Sequence, residues 1–348
     1  MSRPLCLILM SGLFLSGARS SAVEPVVAPP PRILADEPFA KKFSPEKAAA
    51  YLDNAALHWT RERKCVTCHT NMPYLVGRPA LKGESAALAE VRKFVENRIG
   101  EWDRNDMDEG MYRDTDRVVT AATLAISDAR TTGKLHPRTR EGLDRMWELQ
   151  QPNGAWNWIK SDYAPLEYDD FYGAAYVALA VGMAPEGYAK TEKAKAGLAK
   201  LRGYFAENAP PDLHHKAMLL WASVHLEGLM NDKQRAAVVK ELLAAQRADG
   251  GWSLHSLGGW NRRDGSPNDP KAPSDGYGTG FVVFVLRQAG QPATNEPIKR
   301  GVEWLRSNQR ESGRWFTRSL NTDRSNYITN AGTSFAVLAL EACDALKP

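Results

Sequence analysis

The chain has 348 residues, 43% apolar and 25% charged, which excludes a collagen-like or wholly disordered polymer and leaves room for one large domain or two ordinary ones. Lys and Arg outnumber Asp and Glu by only 45 to 41, and the excess is spread along the chain, so nothing points to a nucleic-acid partner.

Residues 1–22 read as a signal peptide. Arg3 gives a positive start, Leu5 to Leu15 form an apolar stretch too short to span a bilayer, and Ser20 and Ala22 stand at the −3 and −1 positions of a small-residue cleavage site. The expectation is export to the periplasm or the extracellular space, with an uncleaved membrane anchor as the alternative. Three cysteines remain, Cys65, Cys68 and Cys343, too few for a disulfide framework. Cys343 reads as a buried thiol.

Residues 23–43, with Pro29-Pro30-Pro31, read as an extended linker. Ser44-Pro45-Glu46 then supplies an N-cap, a proline at N1 and an acid in the first turn, predicting a helix to about Leu57. The stretch 44–84 is taken as an N-terminal helix and a motif-bearing segment.

That motif is Cys65-Val66-Thr67-Cys68-His69, the C-x-x-C-H pattern of c-type haem attachment. Its spacing lets both thiols form thioethers to one porphyrin while His69 supplies the iron ligand. A Cys65–Cys68 disulfide and a metal site completed by outside ligands are the alternatives. Too few residues follow His69 for a self-contained cytochrome domain, so a haem here would pack against the rest of the chain. Asn71-Met72-Pro73 reads as a break straight after the motif. Met72 is too near to be a comfortable distal ligand, Met107, Met111, His58 and His136 are candidates, and a five-coordinate iron is equally open.

Beyond residue 84 the chain repeats. Amphipathic helical segments begin near Ser85, Thr139, Lys190, Asp232 and Asn295. Each precedes a segment that is apolar almost all round: Val118–Ala129, Phe171–Ala184, Lys216–Leu229, Tyr277–Ala289 and Ile328–Cys343. Outer helices wet on one face, alternating with inner helices covered on all sides, imply a ring or stack of helical hairpins with almost no β structure. Three junctions share a pattern: Gln150 with Gly154 and Trp156, Gln246 with Gly250 and Trp252, and Gln309 with Gly313 and Trp315. Glycine accepts the left-handed turn that stops a helix, glutamine can satisfy backbone groups at neighbouring helix ends, and tryptophan packs the turn.

These Q-x-x-x-G-x-W repeats between alternating helices resemble the QW repeats of squalene–hopene cyclases and related terpenoid cyclases. The resemblance covers residues 85–345. It implies an all-α fold, an α/α toroid of five to six hairpins like that of the protein prenyltransferase β subunits, with inner helices around a central cavity.

In such a toroid every inner helix starts at one rim. Those starts carry Asp114 and Asp116, Glu167, Asp169 and Asp170, His214 and His215, Asp275, and Asn326 and Asn330. Asp and Asn at such starts are also natural helix caps. Glu167-Tyr168-Asp169-Asp170 resembles the D-x-D-D motif of class II terpene cyclases. Carried over, Asp169 is the Brønsted acid, with Glu167 and Asp170 in the flanking places; glutamate in the first place departs from the pattern. Trp158, Tyr163, Tyr168, Phe171, Tyr172, Tyr176, Trp260, Tyr277 and Phe281 cluster near this rim, where ring faces can stabilise a carbocation or simply pack helices. The protein prenyltransferases bind zinc through Asp, Cys and His at inner-helix ends, and no cysteine accompanies Asp275 here.

Two functions follow. The first is an exported squalene cyclase-like isomerase acting on an isoprenoid or other small apolar substrate by acid-initiated chemistry, with peripheral membrane contact. The second is an exported c-type haem protein, redox or ligand-binding, that uses the toroid as a scaffold and exchanges electrons with a partner the sequence does not name.

Overall fold

The computed structural model describes residues 29–64, 66, 68–83, 85–103, 111–161 and 163–347, so residues 1–22, read above as a signal peptide, and Cys65 and Met107 lie outside the described residues. Those residues form α1 (Pro45–Arg63), α2 (Asn71–Gly77), α3 (Ala86–Gly100), α4 (Met111–Arg130), α5 (Pro137–Met146), α6 (Asp170–Met183), α7 (Glu192–Glu207), α8 (Leu213–His225), α9 (Asp232–Ala244), α10 (Gly276–Gln288), α11 (Glu296–Ser307) and α12 (Ile328–Ala342). Two isolated bridges, Phe39 with Arg310 and Tyr163 with Glu167, are the β structure among them. No helix among the described residues is long and apolar enough to cross a membrane.

The even-numbered helices form an inner ring, in which α2 packs on α4, α4 on α6, α6 on α8, α8 on α10, α10 on α12, and α12 back on α2. The odd-numbered helices lie outside them, α1 against α2 and α12, α3 and α5 against α4, α7 against α6, α9 against α8 and α11 against α10. Hydrophobic pattern explains the division. Inner α6 buries every residue from Phe171 to Val181, whereas outer α9 buries Val238 and Leu242 and leaves its charged positions in water. Ser44, Ser85, Thr191 and Asn231 cap outer helices; Asp169, Asp212 and Asp275 cap inner ones.

The first hairpin is α1 with α2, so the toroid expected over 85–345 takes in residues 45–77 and has six pairs. The break read at Asn71-Met72-Pro73 is instead the first turn of α2, where a proline sacrifices no helical hydrogen bond. Helix α1 also runs past Leu57 to Arg63, because Thr60 is buried and Arg61 makes a bidentate pair with Glu90 of α3 at 2.7 Å. It ends at Lys64 in the left-handed region, φ 51°. Residues 29–43, expected as a linker, are strapped to the protein. The Glu37 backbone and carboxylate hold Arg310, Ser312 and Arg314, and Ala40 N–H donates to Gln309 O at 2.7 Å.

The three Gln–Gly–Trp turns join an outer helix to the next, α5 to α7, α9 to α11 and α11 to α1. Gln150 Nε2 donates to Gly154 O and to Gly197 O on α7, and Gln246 Nε2 to Gly250 O and Pro297 O on α11. Gln309 Nε2 donates to Gly313 O and Ser44 O, while its Oε1 accepts Ser44 N–H at 2.8 Å. Each tryptophan N–H donates into its own outer helix: Trp156 to Met146 O, Trp252 to Leu242 O, Trp315 to Leu305 O. Gly313 takes φ +96°, and a Cβ there would stand 2.2 Å from Lys47 O, so both conformation and close approach require glycine.

Gln309 makes three such bonds and Gln246 makes two, each bond being worth about 1 kcal/mol. Gln309→Ala should therefore cost roughly 2–4 kcal/mol and lower Tm more than Gln246→Ala does. Thermal unfolding of the two variants checks this, and equal or reversed shifts would contradict it.

Candidate functional site

Because each inner helix follows an outer one, the turn from α1 to α2 opens on the same rim as the starts of α6, α8, α10 and α12. The sequence motif and the acidic stretch at 167–170 therefore meet. The Cys68 thiol hydrogen-bonds to the Glu167 carboxyl. Cys68, His69, Glu167, Trp59, Tyr163 and Tyr327 line a mouth cavity of about 260 Å³. Burial pushes Glu167 above the ordinary carboxylate range, and the bonds from Cys68 and from Ser161 Oγ at 3.0 Å only partly offset that.

His69 is set by its neighbours. Its ring stacks on Tyr327 at 5.5 Å and meets the Trp59 ring edge-on at 4.7 Å. Burial pushes the imidazole down to about 4, so it is neutral at physiological pH. Nδ1 lies 2.7 Å from Thr70 Oγ1, which accepts from Asn330 Nδ2 at 3.0 Å, and Tyr51 Oη donates to Asn330 Oδ1 at 2.6 Å. With two lone pairs, Thr70 Oγ1 can accept an Nδ1–H as well, which puts the imidazole lone pair on Nε2.

Asp169 is in a different setting from the one its resemblance implies. It caps α6, accepting Tyr172 N–H at 2.9 Å, and its Oδ2 lies 3.1 Å from His215 Nε2. The other imidazole nitrogen lies 2.7 Å from Oδ1 of Asp212, the cap of α8. Burial alone would lower His215 and raise Asp169, but the two carboxylates push His215 up to about 9, and His215 holds Asp169 below the ordinary carboxylate range. The acid role expected of Asp169 thus meets surroundings that favour its anion. Asp170 faces outward, accepting Trp158 N–H at 3.0 Å and pairing with Lys160 at 2.7 Å.

The other rim residues are dispersed. Asp116 pairs with Arg98, Asp275 caps α10 and holds Leu254 N–H, and Asn326 holds Ser319 N–H. Asp114 sits in the first turn of α4. His214, lowered by burial to about 3, bonds through Nε2 to Tyr277 Oη at 2.9 Å among Tyr172, Phe281 and Trp260. Of the rim carboxylates expected to line one end of the cavity, Glu167 does so.

The toroid centre is nearly filled. Tyr172, Tyr176, Met218, Trp221 and Phe335 crowd a chamber of about 30 Å³, room for a water or two and far below the ~300–1,000 Å³ of small-molecule pockets. The open central cavity that the resemblance implies is closed by these side chains. Met72 points into this chamber, and His136 caps outer helix α5 at the opposite rim. Among the described residues lining the mouth cavity there is no methionine and no histidine besides His69. Trp59, Thr70 and Tyr327 are members that sequence reasoning missed. Trp59 and Thr70 could have been found by extending the rim rule to the α1–α2 turn.

The Asp212–His215–Asp169 clamp joins the starts of two inner helices, which gives a pH-dependent expectation. A histidine raised from about 6.5 in the unfolded chain to about 9 stabilises fully below pH 6.5, and that contribution is lost as pH rises through 9. His215→Gln should cost on the order of 3 kcal/mol at pH 6 and markedly less above pH 9. Urea unfolding at both pH values measures this, and a cost independent of pH would contradict it.

No protein-family model matches the sequence, and no curated protein matches it. Solved structures do. A wild-type glycosidase aligns with a TM-score of 0.52 at 12% identity, over 87% of this chain and 98% of that one. A polysaccharide lyase aligns with a TM-score of 0.52 at 12% identity, over 86% and 97%. The ent-copalyl diphosphate synthase from Streptomyces platensis gives 0.49 at 16% identity, over 79% of this chain and 50% of that one. At such identities the glycosidase and the lyase speak to architecture alone, and with the helix order above they make this chain an all-α protein of the α/α-toroid class.

Proposed function

We propose that the protein is an exported c-type haem protein with a redox role, in which the toroid supplies the wall that the haem packs against. The observation that carries this reading is the convergence of Cys68 and His69 on one cavity, with the imidazole kept neutral and its Nδ1 held by Thr70. Neutral imidazole is the form that ligates iron, and a fixed second nitrogen is the usual outer support of such a ligand. The donor set therefore fits the group: Cys65 and Cys68 would carry it, and His69 would bind the metal. When bound, haem supplies one-electron chemistry at iron. The chain's own residues hold the ring of His69 between Trp59 and Tyr327 and keep Glu167 toward its protonated form beside Cys68. At about 260 Å³ the mouth cavity would enclose part of a haem rather than all of it.

The cyclase-like reading draws less support. It asks for a protonated acid facing an apolar chamber, whereas Asp169 is held as an anion and the chamber is about 30 Å³. Of the three carboxylates that resemble the D-x-D-D motif, Glu167 is the one that lines the mouth cavity, and burial raises it, so any acid chemistry at this rim belongs to it.

Expression in a host with export and haem-ligation machinery tests the proposal. The mature chain should gain the mass of one haem and show a Soret band that survives acid–acetone extraction. Cys68→Ala should lose or weaken covalent attachment, and His69→Ala should keep the added mass while changing the Soret position. An intact mass short by two hydrogens with no Soret band would identify a Cys65–Cys68 disulfide and overturn the reading.

A further inference from the structure

On the other side of α1 lies a larger and very different cavity. Trp59 faces the mouth, whereas Thr60, Arg61 and Lys64 border a space of about 670 Å³ between α1, α3 and the start of α4. That volume lies in the range of small-molecule sites. Among the described residues, six basic side chains line it against three acidic ones. Two of the acids are matched: Glu90 is clamped by Arg61, and Asp116 pairs with Arg98 at 2.8 Å. Lys64, Lys93, Arg113 and Arg117 then share the cavity with Glu101, an excess of three positive charges.

This concentration of charge is unfavourable as it stands. Arg113 and Arg117 are four residues apart on α4, a spacing at which like charges destabilise a helix. Burial and the charge of Arg113 push Arg117 below its usual range, and the nearby carboxylates of Asp114 and Asp103 only partly offset that. Arg113 Nε is buried and has no hydrogen-bond partner, which costs free energy unless an acceptor is supplied. One Arg117 nitrogen donates to Trp102 O, while the guanidinium lies 5.7 Å above the Trp102 ring. Trp102 and Phe94 give the cavity an apolar lining suited to a carbon skeleton. Guanidinium forks match the geometry of carboxylate and phosphate oxygens.

We propose that this cavity binds an organic anion carrying two or more carboxylate or phosphate groups, with Arg113 and Arg117 as its main contacts and Lys93 adding charge. The proposal stands whether or not the chain carries haem, since none of these residues lines the mouth cavity.

Calorimetry on the mature protein tests it with two probes, inorganic pyrophosphate for the phosphate source and trigalacturonate for the carboxylate source. At least one should bind at low salt and weaken as salt is raised to about 0.2 M. Arg113→Gln with Arg117→Gln should weaken binding at least about tenfold. Lys93→Gln, an exposed change that leaves the fold intact, should weaken it severalfold and so guards against misfolding of the double variant. Binding of one probe alone identifies the source of the anion and supports the site. Failure of both probes to bind, or affinities unchanged in both variants, would overturn the proposal.

Discussion

Ser44 and Gln309 exchange hydrogen bonds through both the N–H and the C=O of Ser44, and that exchange closes the ring. Everything at the rim follows from closure. With α12 fixed against α1 and α2, the α1–α2 turn is forced beside the stretch that leads into α6, and Cys68 comes within reach of Glu167. The same closure places Asn330 of α12 on Thr70, and through it on His69. Two regions far apart in the chain thereby line one cavity.

The ring was legible in the chain because it is written twice, once in the alternation of amphipathic and all-apolar helices and again in the Gln–Gly–Trp turns. The sixth pair was not. At seven residues, α2 is too short to show a helical period, and total burial of Asn71 through Gly77 removes the polar face that would reveal one. Its asparagine and proline look like a breaker when only neighbours in sequence are considered. The packing of α2 between α4 and α12 overrides that local signal.

The site was legible as a set of residues but not as a set of roles. Glu167, Asp169 and Asp170 differ little on the page; what separates them is what each one faces. Asp169 meets an imidazole contributed by the next inner helix, Asp170 meets Lys160 at the surface, and Glu167 meets a thiol in a half-buried corner. A resemblance to D-x-D-D marks a position along the chain, and such a mark says nothing about the counter-charge across the ring. His215 shows the same limit. Its i,i+3 neighbour Asp212 is visible in the sequence, but the second carboxylate arrives only when α6 and α8 pack together.

A ring has no ends, and this changes the order in which the molecule can be assembled. An open stack of hairpins can add one unit at a time and leave a finished surface behind it. Here the earliest hairpin has one flank that must wait for the last helix, because α2 is covered by α12 and Ser44 is held by a turn near the carboxyl end. Until α12 docks, Tyr327 and Asn330 are missing from the surroundings of His69. The segment bearing Cys68 and His69 is therefore the seam of the fold, among the first parts synthesised and among the last to be sealed.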